Sequence, residues 1–195
     1  MKTKYFAKKK WGQNFLIDQN IINKIVSSMN LKSNDQVLEI GPGTGAITKT
    51  IANNVKNITA IEIDSNLCEV LEKKTIPNLN IINKDILEVD LEPISPNIIV
   101  GNLPYYITTP IIFKILKSNM KWEKIFFMMQ KEVAERIVSK PNLKSYGRLS
   151  IMIQILSTPK LLFNISPQVF RPIPKVNSSL VQITKTNQYQ IKDYS

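Results

Sequence analysis

The chain has 195 residues, 43% of them hydrophobic, with only 6 Gly and 11 Pro; this suits one domain with a sizeable core and excludes a fibrous or disordered chain. Its 26 Lys and Arg outweigh 15 Asp and Glu, and the resulting +11 creates a field that attracts polyanions such as nucleic acid. There is no His and one Cys, which rules out Ser-His-Asp catalysis, His-bearing zinc sites, an internal disulfide and a multi-Cys metal site, so no metal is expected.

The amino terminus, "MKTKYFAKKKW", is basic, and no apolar signal-peptide core follows it. No apolar run approaches the roughly 20 residues a membrane span requires. A cytoplasmic protein with no membrane partner is expected. In "DQNIINKIVSSMN" (18–30), Ile21, Ile22, Ile25, Val26 and Met29 recur at helical spacing behind Asp18, a ready N-cap. Short apolar runs then alternate with helical ones: "QVLEI", "GAITKTIANN", "ITAIEID", "NLCEVLEKK", "LNII", "NIIVGN", "TPIIFKILKSN", "KIFFMM" and "KEVAERIVS". Such alternation predicts βαβ units and a parallel sheet. Cys68 falls inside one helical run and reads as a packed thiol. "LSIMIQILS" fits a helix or a buried strand; "KLLFNIS" and "SSLVQITK" read as two strands with no helix between them, which predicts an antiparallel pair at the sheet edge. Between them "PQVFRPIPKVN" is proline-rich and reads as an extended loop.

"VLEIGPGTGAIT" follows the first strand of this series and opens a helix, the place where open α/β sheets bind ligands. Gly41-x-Gly43-x-x-Ala46, with Glu62 about 20 residues on, satisfies a loose dinucleotide pattern. Pro42, however, lacks an N–H that phosphate oxygens would use, and Glu39 would repel them. A cationic ligand reverses the second penalty. S-adenosylmethionine fits better than a dinucleotide: its ribose diol suits Glu62, its ammonium and sulfonium suit negative potential, and it has no phosphate. Asp85, after the next apolar strand, is a candidate acceptor for an adenine amino group with Ile86 packing on the ring, although an Asp in that position also serves as an ordinary turn residue.

"VGNLPYYITTP" (100–110) ends a buried run with an amide, a stiff backbone and an aromatic ring, and contains no acid, base or nucleophile. Methyl transfer explains that composition, because a methyl on a sulfonium is already electrophilic and positioning dominates. The lone pair of an exocyclic adenine amine is conjugated into the ring, and two acceptors on its hydrogens favour a pyramidal nitrogen with that pair freed. Asn102 and the Leu103 carbonyl are candidates for the acceptors, with Tyr105 stacking on a base that is unpaired or flipped out.

Taken together, "GQNFL" (12–16), "EIGPGTG" (39–45), "IEID" (61–64), "KDIL" (84–87), "GNLPYYITTP" (101–110), "QKEVAERI" (130–137), "YGRLS" (146–150) and "FRPIPKVNSSLV" (170–181) give the chain a resemblance to the KsgA family of small-subunit ribosomal RNA adenine dimethyltransferases, from about residue 10 to 185. The resemblance implies a Rossmann-like S-adenosylmethionine-dependent methyltransferase of α/β class: a seven-stranded, mostly parallel sheet with its last strand antiparallel and helices on both faces. It implies that residues 1–17 form a basic segment contributing to the cofactor site, that 18–186 form the catalytic domain, and that 187–195 form a tail where family members usually continue into a helical domain. By position, Asn14 and Leu16 would line the methionine side of the cofactor and Gly41 and Gly43 would approach it. Glu39, Glu62, Ile63, Asp85 and Ile86 would complete its site, with Asn102 near both methyl donor and target. Phe170 resembles a second aromatic wall for the flipped base. The implied reaction is dimethylation of N6 on two adjacent adenosines near the 3′ end of 16S RNA by a monomeric enzyme of ribosome biogenesis. Lys8, Lys9, Lys10, Lys144 and Arg148 are the expected phosphate contacts. Two relatives keep other readings open: an RNA-binding assembly factor or mitochondrial-transcription-factor-like module with little turnover, and the erythromycin-resistance methyltransferases of large-subunit RNA, which more often carry Ile where Leu103 stands. Asn177 and Tyr106 depart from the Asp and Asn frequent in the family.

Overall fold

Asp18 opens the first long helix as its sequence suggests: in the computed structural model, which describes residues 7–186, its carboxylate accepts from the N–H groups of Asn20 and Ile21. In chain order the elements are β1 (Phe15–Leu16), α1 (Gln19–Met29), β2 (Gln36–Ile40), α2 (Thr48–Ala52), β3 (Asn57–Glu62), α3 (Ser65–Glu72), β4 (Leu79–Asn83), β5 (Ile98–Asn102), α4 (Thr108–Lys117), β6 (Lys124–Gln130), α5 (Lys131–Val138), α6 (Arg148–Leu156), β7 (Ser157–Ile165), β8 (Phe170–Arg171) and β9 (Ser178–Lys185). Residues 187–195, expected as a tail, lie outside the described residues.

Seven strands form one sheet in the order β4-β3-β2-β5-β6-β9-β7. β2 pairs in parallel with β3 and β5, and the parallel ladder extends to β4 on one side and β6 on the other. β9 enters antiparallel to both β6 and β7, so the helix-free pair read from the sequence lies at the sheet edge, with the reversed strand one place inside it. This is the Rossmann-like α/β arrangement that the sequence implied. Because both faces are covered, neighbouring side chains along one strand enter different cores. Ile99, Phe127 and Met129 join α4, α5 and α6 in one cluster; Ile98, Val100, Phe126 and Met128 join α1 in the other.

The stretch "LSIMIQILS" resolves into a helix followed at once by a strand. Ser150 accepts from the Gly147 N–H at the helix start (3.2 Å), and Ser157, the first residue of β7, donates to the Ile153 carbonyl (2.6 Å). Ile153 is buried while Ile151 and Met152 are exposed, a one-sided burial that a helix accommodates. The proline-rich loop contributes an element the sequence did not signal: β8 pairs antiparallel with β1, with Leu16 opposite Phe170, and fastens residues 15–16 beside the main sheet. Cys68 is buried in α3 and its thiol is pushed up to about 11, chiefly by burial, as befits a packed thiol.

Candidate active site

At the carboxyl end of β2 the chain must turn sharply, and Gly41 (φ +64°) does so while its N–H donates to the Ile61 carbonyl at 2.9 Å. A side chain built on Gly41 would meet no atom within 4 Å, so open space lies against this backbone. Gly43 (φ +58°) donates its N–H to Glu62 Oε2 at 3.1 Å, and the Asp64 N–H donates to Glu62 Oε1 at 3.0 Å. Glu62 is 4% exposed; burial raises its pKa while these two donors oppose the rise. Glu39 is buried behind the loop, and burial pushes its carboxyl up to about 7, with Glu62 adding to the shift. Thr48 lies near enough to pull the other way, yet Glu39 Oε2 and Thr48 Oγ1 both lack a partner at hydrogen-bond geometry among the described residues. A buried, incompletely satisfied carboxyl beside a second carboxyl makes this a cation-favouring corner, and with the open face of Gly41 it fits a positively charged ligand.

The carboxyl ends of β3, β4 and β5 complete the cleft, which is open to solvent. Ile63, partly exposed, follows Glu62 on the rim; Asp85 and the buried Ile86 line the cleft just past the neighbouring strand β4. Asp85 Oδ1 accepts from the Leu87 N–H at 2.8 Å, the ordinary turn role anticipated for it, and Asp85 also borders the cleft.

The tetrapeptide after β5 is fixed one group at a time. Asn102 Nδ2 donates to the Asn14 carbonyl at 2.8 Å, and the Leu103 N–H donates to the Met128 carbonyl at 3.1 Å. The Pro104 carbonyl accepts from the Ile107 N–H at 3.2 Å and the Thr108 hydroxyl at 3.1 Å. Tyr105, half-buried, shares a 2.8 Å hydrogen bond with Ser178 Oγ. Asn102, Leu103, Pro104 and Tyr105 all line the same cleft as the glycine loop.

Residues 11–16 form the remaining wall, Asn14 and Leu16 among them. Their fastening corrects one expectation. Lys8, read as a phosphate contact, donates instead to Asp64 Oδ1 at 2.9 Å, while Gln13 Nε2 reaches Asp64 Oδ2 at 3.3 Å and Gln13 Oε1 accepts from the Lys8 N–H at 2.7 Å. Asp64 is fully buried, and an unpaired carboxylate there would be costly, so the partly exposed Lys8 ammonium is engaged in pairing it. Lys10 lies over the Trp11 ring at 4.2 Å, and Lys144, in the loop before α6, and Arg148, at its start, are exposed; the Lys9 side chain lies outside the described residues. Phe170 also departs from expectation. It is 1% exposed, packed with Leu16, Ile165 and Leu180 in the α1-side core, and does not border the cleft, because its place in β8 opposite Leu16 turns it inward. Gln13, Asp64 and Ser178 fall within the quoted motifs but were assigned no role, because the partners that give them one lie 51 to 73 residues away.

Comparison with known proteins bears on the whole chain. A model of the ribosomal RNA adenine dimethylase family matches residues 5–195. Ribosomal RNA small subunit methyltransferase A of Lachnoclostridium phytofermentans is 41% identical over 199 residues, covering 97% of this chain and 69% of the relative. Among solved structures, a dimethyladenosine transferase from Plasmodium falciparum superposes with a TM-score of 0.82 at 30% identity, over 88% of this chain and 63% of that one. The 23S rRNA methyltransferase ErmE superposes with a TM-score of 0.81 at 28% identity, over 91% and 72%. The chain thus spans about two thirds of the length of these relatives.

Proposed function

We propose, from the premise that this chain belongs to the ribosomal RNA adenine dimethylase family and is an S-adenosylmethionine-dependent methyltransferase, that it dimethylates N6 of two adjacent adenosines near the 3′ end of small-subunit ribosomal RNA. The observation that carries the reading is that a single cleft joins the cation-favouring glycine loop to the uncharged Asn102–Tyr105 turn. When bound, S-adenosylmethionine supplies a methyl group made electrophilic by its positively charged sulfur.

On the cofactor side, Glu62 has a backbone donor on each oxygen already and retains lone pairs for the ribose hydroxyls. Asp85 and Ile86 receive the adenine, Ile63 flanks it, Asn14 and Leu16 border the methionine end, and Gly41 and Gly43 bring backbone close without a side chain in the way. Glu39 supplies negative potential behind the loop.

On the target side, Asn102 has its amide nitrogen committed to Asn14, so its oxygen is the free acceptor for the adenine amine. The Pro104 carbonyl is occupied by Ile107 and Thr108, which leaves the Leu103 carbonyl as the backbone acceptor next to it. Held by two oxygens, the amine pyramidalises, and the positive charge that develops on nitrogen is stabilised by fixed dipoles with no ionisable base. Tyr105 stacks on the base. The net charge of +11, with Lys10, Lys144 and Arg148 on the surface, supports binding to RNA phosphates. No described helix is long and apolar enough to cross a membrane; we read the protein as a cytoplasmic monomer. Residues 18–186 would form the catalytic domain, to which the preceding segment lends a wall.

The test is incubation of unmethylated small and, separately, large ribosomal subunits with isotopically labelled cofactor, followed by mass analysis of the RNA. Two neighbouring dimethyladenosines are expected; label confined to large-subunit RNA, or absent, overturns the proposal.

A further inference from the structure

Tyr105 is the one aromatic side chain in the proposed target site with a hydrogen-bonded tether, and the other end of that tether lies far from the turn in sequence. Ser178 opens β9, is 1% exposed, and is held from both sides, opposite Gln130 in β6 and Ile165 in β7. Its neighbour Asn177 accepts the Lys131 N–H at 2.9 Å, fixing the approach to the strand. A buried serine on a central strand has few rotamers and little freedom, so its oxygen is a stationary point against which a ring can be set.

Beyond the reading of Tyr105 as a stacking wall, and resting on it, we infer that Ser178 is a positioning residue for methyl transfer: through the 2.8 Å bond to the Tyr105 hydroxyl it fixes the place of the ring against which the target base lies. The physical reason is leverage. Pro104 and the bonds on its carbonyl settle the backbone of the turn but not the side-chain torsions of the next residue. A tyrosine ring swings on its first side-chain torsion, and tying down the hydroxyl at its far end fixes that swing and so the place the ring occupies. With the tether cut, the backbone of the turn is unchanged but the ring is free to swing to other positions. The base on it then shifts relative to Asn102 and the Leu103 carbonyl, and small misplacements at a reacting centre are costly in rate. Burial raises the Tyr105 pKa while the serine bond opposes the rise, so the phenol stays protonated and able to take part in the bond across the working pH range.

The experiment is a double-mutant cycle in the full chain with unmethylated small subunits as substrate, read as single-turnover methylation rate, KM for the subunits, and cofactor Kd by calorimetry. Ser178→Ala and Tyr105→Phe should each lower the single-turnover rate by about tenfold, with cofactor affinity unchanged. The double variant should be no slower than either single one, because both remove the same bond. Tyr105→Phe leaves β9 untouched, so the test survives if Ser178→Ala folds poorly. Tyr105→Ala, which removes the ring itself, should be slower than all three. Multiplying losses in the double variant overturn the inference, as does full turnover by Tyr105→Phe. Loss in Tyr105→Ala with no loss in Tyr105→Phe or Ser178→Ala removes the tether and leaves the stacking wall standing. Full turnover by Tyr105→Ala removes the wall and the inference with it.

Discussion

The two halves of the cleft solve different problems with different chemistry. Around the glycine loop the chain gathers Glu39, Glu62 and Asp64, all at most 5% exposed; backbone donors hold Glu62 and the Lys8 ammonium meets Asp64, while Glu39 stays incompletely satisfied. Around Asn102 no carboxylate or base is used, and every donor or acceptor described is an amide, a carbonyl or a hydroxyl. The difference teaches where charge is useful. A ligand that arrives positive can be held by negative potential, whereas an amine that becomes positive only as it reacts is better served by dipoles fixed in advance, which cost little while it is neutral.

Substitutions on either side test that division. The largest effect is expected from Asn102→Ala, which should cut single-turnover methylation by roughly 10²- to 10³-fold while calorimetry shows cofactor affinity within severalfold. A large loss of affinity with normal turnover would erase the distinction between the halves. Next comes Glu39→Gln, read by chemical denaturation against pH. Because the folded pKa of Glu39 is raised from 4.5 to about 7, the folded state holds a proton that the unfolded chain has released, so this residue costs stability as pH rises through that window. The variant should therefore match the parent at pH 4 and exceed it above pH 7 by up to roughly 3 kcal/mol. An equal margin at both pH values would mean that Glu39 is not the titrating group. Glu62→Ala should weaken cofactor binding about 10- to 100-fold, since it removes charge-assisted bonds and frees the Gly43 and Asp64 donors; an unchanged Kd would take Glu62 away from the ribose.

The smallest effects separate the cations. Lys8→Ala should lower stability by roughly 1–2 kcal/mol, tempered by the partial exposure of the lysine, and leave the salt dependence of RNA binding untouched. Lys144→Ala should do the reverse, reducing the slope of log affinity against log salt by about one with no change in the melting midpoint. If Lys8→Ala changed the slope instead, its role as a latch on Asp64 would fail.

Much of the site was legible because its groups sit where local rules put them. The glycines follow a strand, Glu62 and Asp85 end later strands, and Asn102 ends another, so an alternating βαβ pattern is enough to bring their ends together at one edge of the sheet. The place of Phe170, which resemblance set at the target and residue type set in the core, was not legible for the opposite reason. Its side of the chain depends on β8 pairing with β1, a two-residue contact with no period of its own to read. Lys8 looked like one more member of a basic run, and only its distance from Asp64 distinguishes it from Lys10.

The alternation of strands and helices, the mostly parallel sheet and the uncharged character of the reacting turn were legible from residue type and spacing within a dozen positions, and the Rossmann-like class from the resemblance its linked motifs carry. The tertiary structure decided which long-range partners close the site: Asn14 on Asn102, Ser178 on Tyr105, Lys8 and Gln13 on Asp64. Those bonds depend on segments that meet only after the sheet has assembled, and a hydrogen bond between side chains tens of residues apart leaves no periodic trace in either segment.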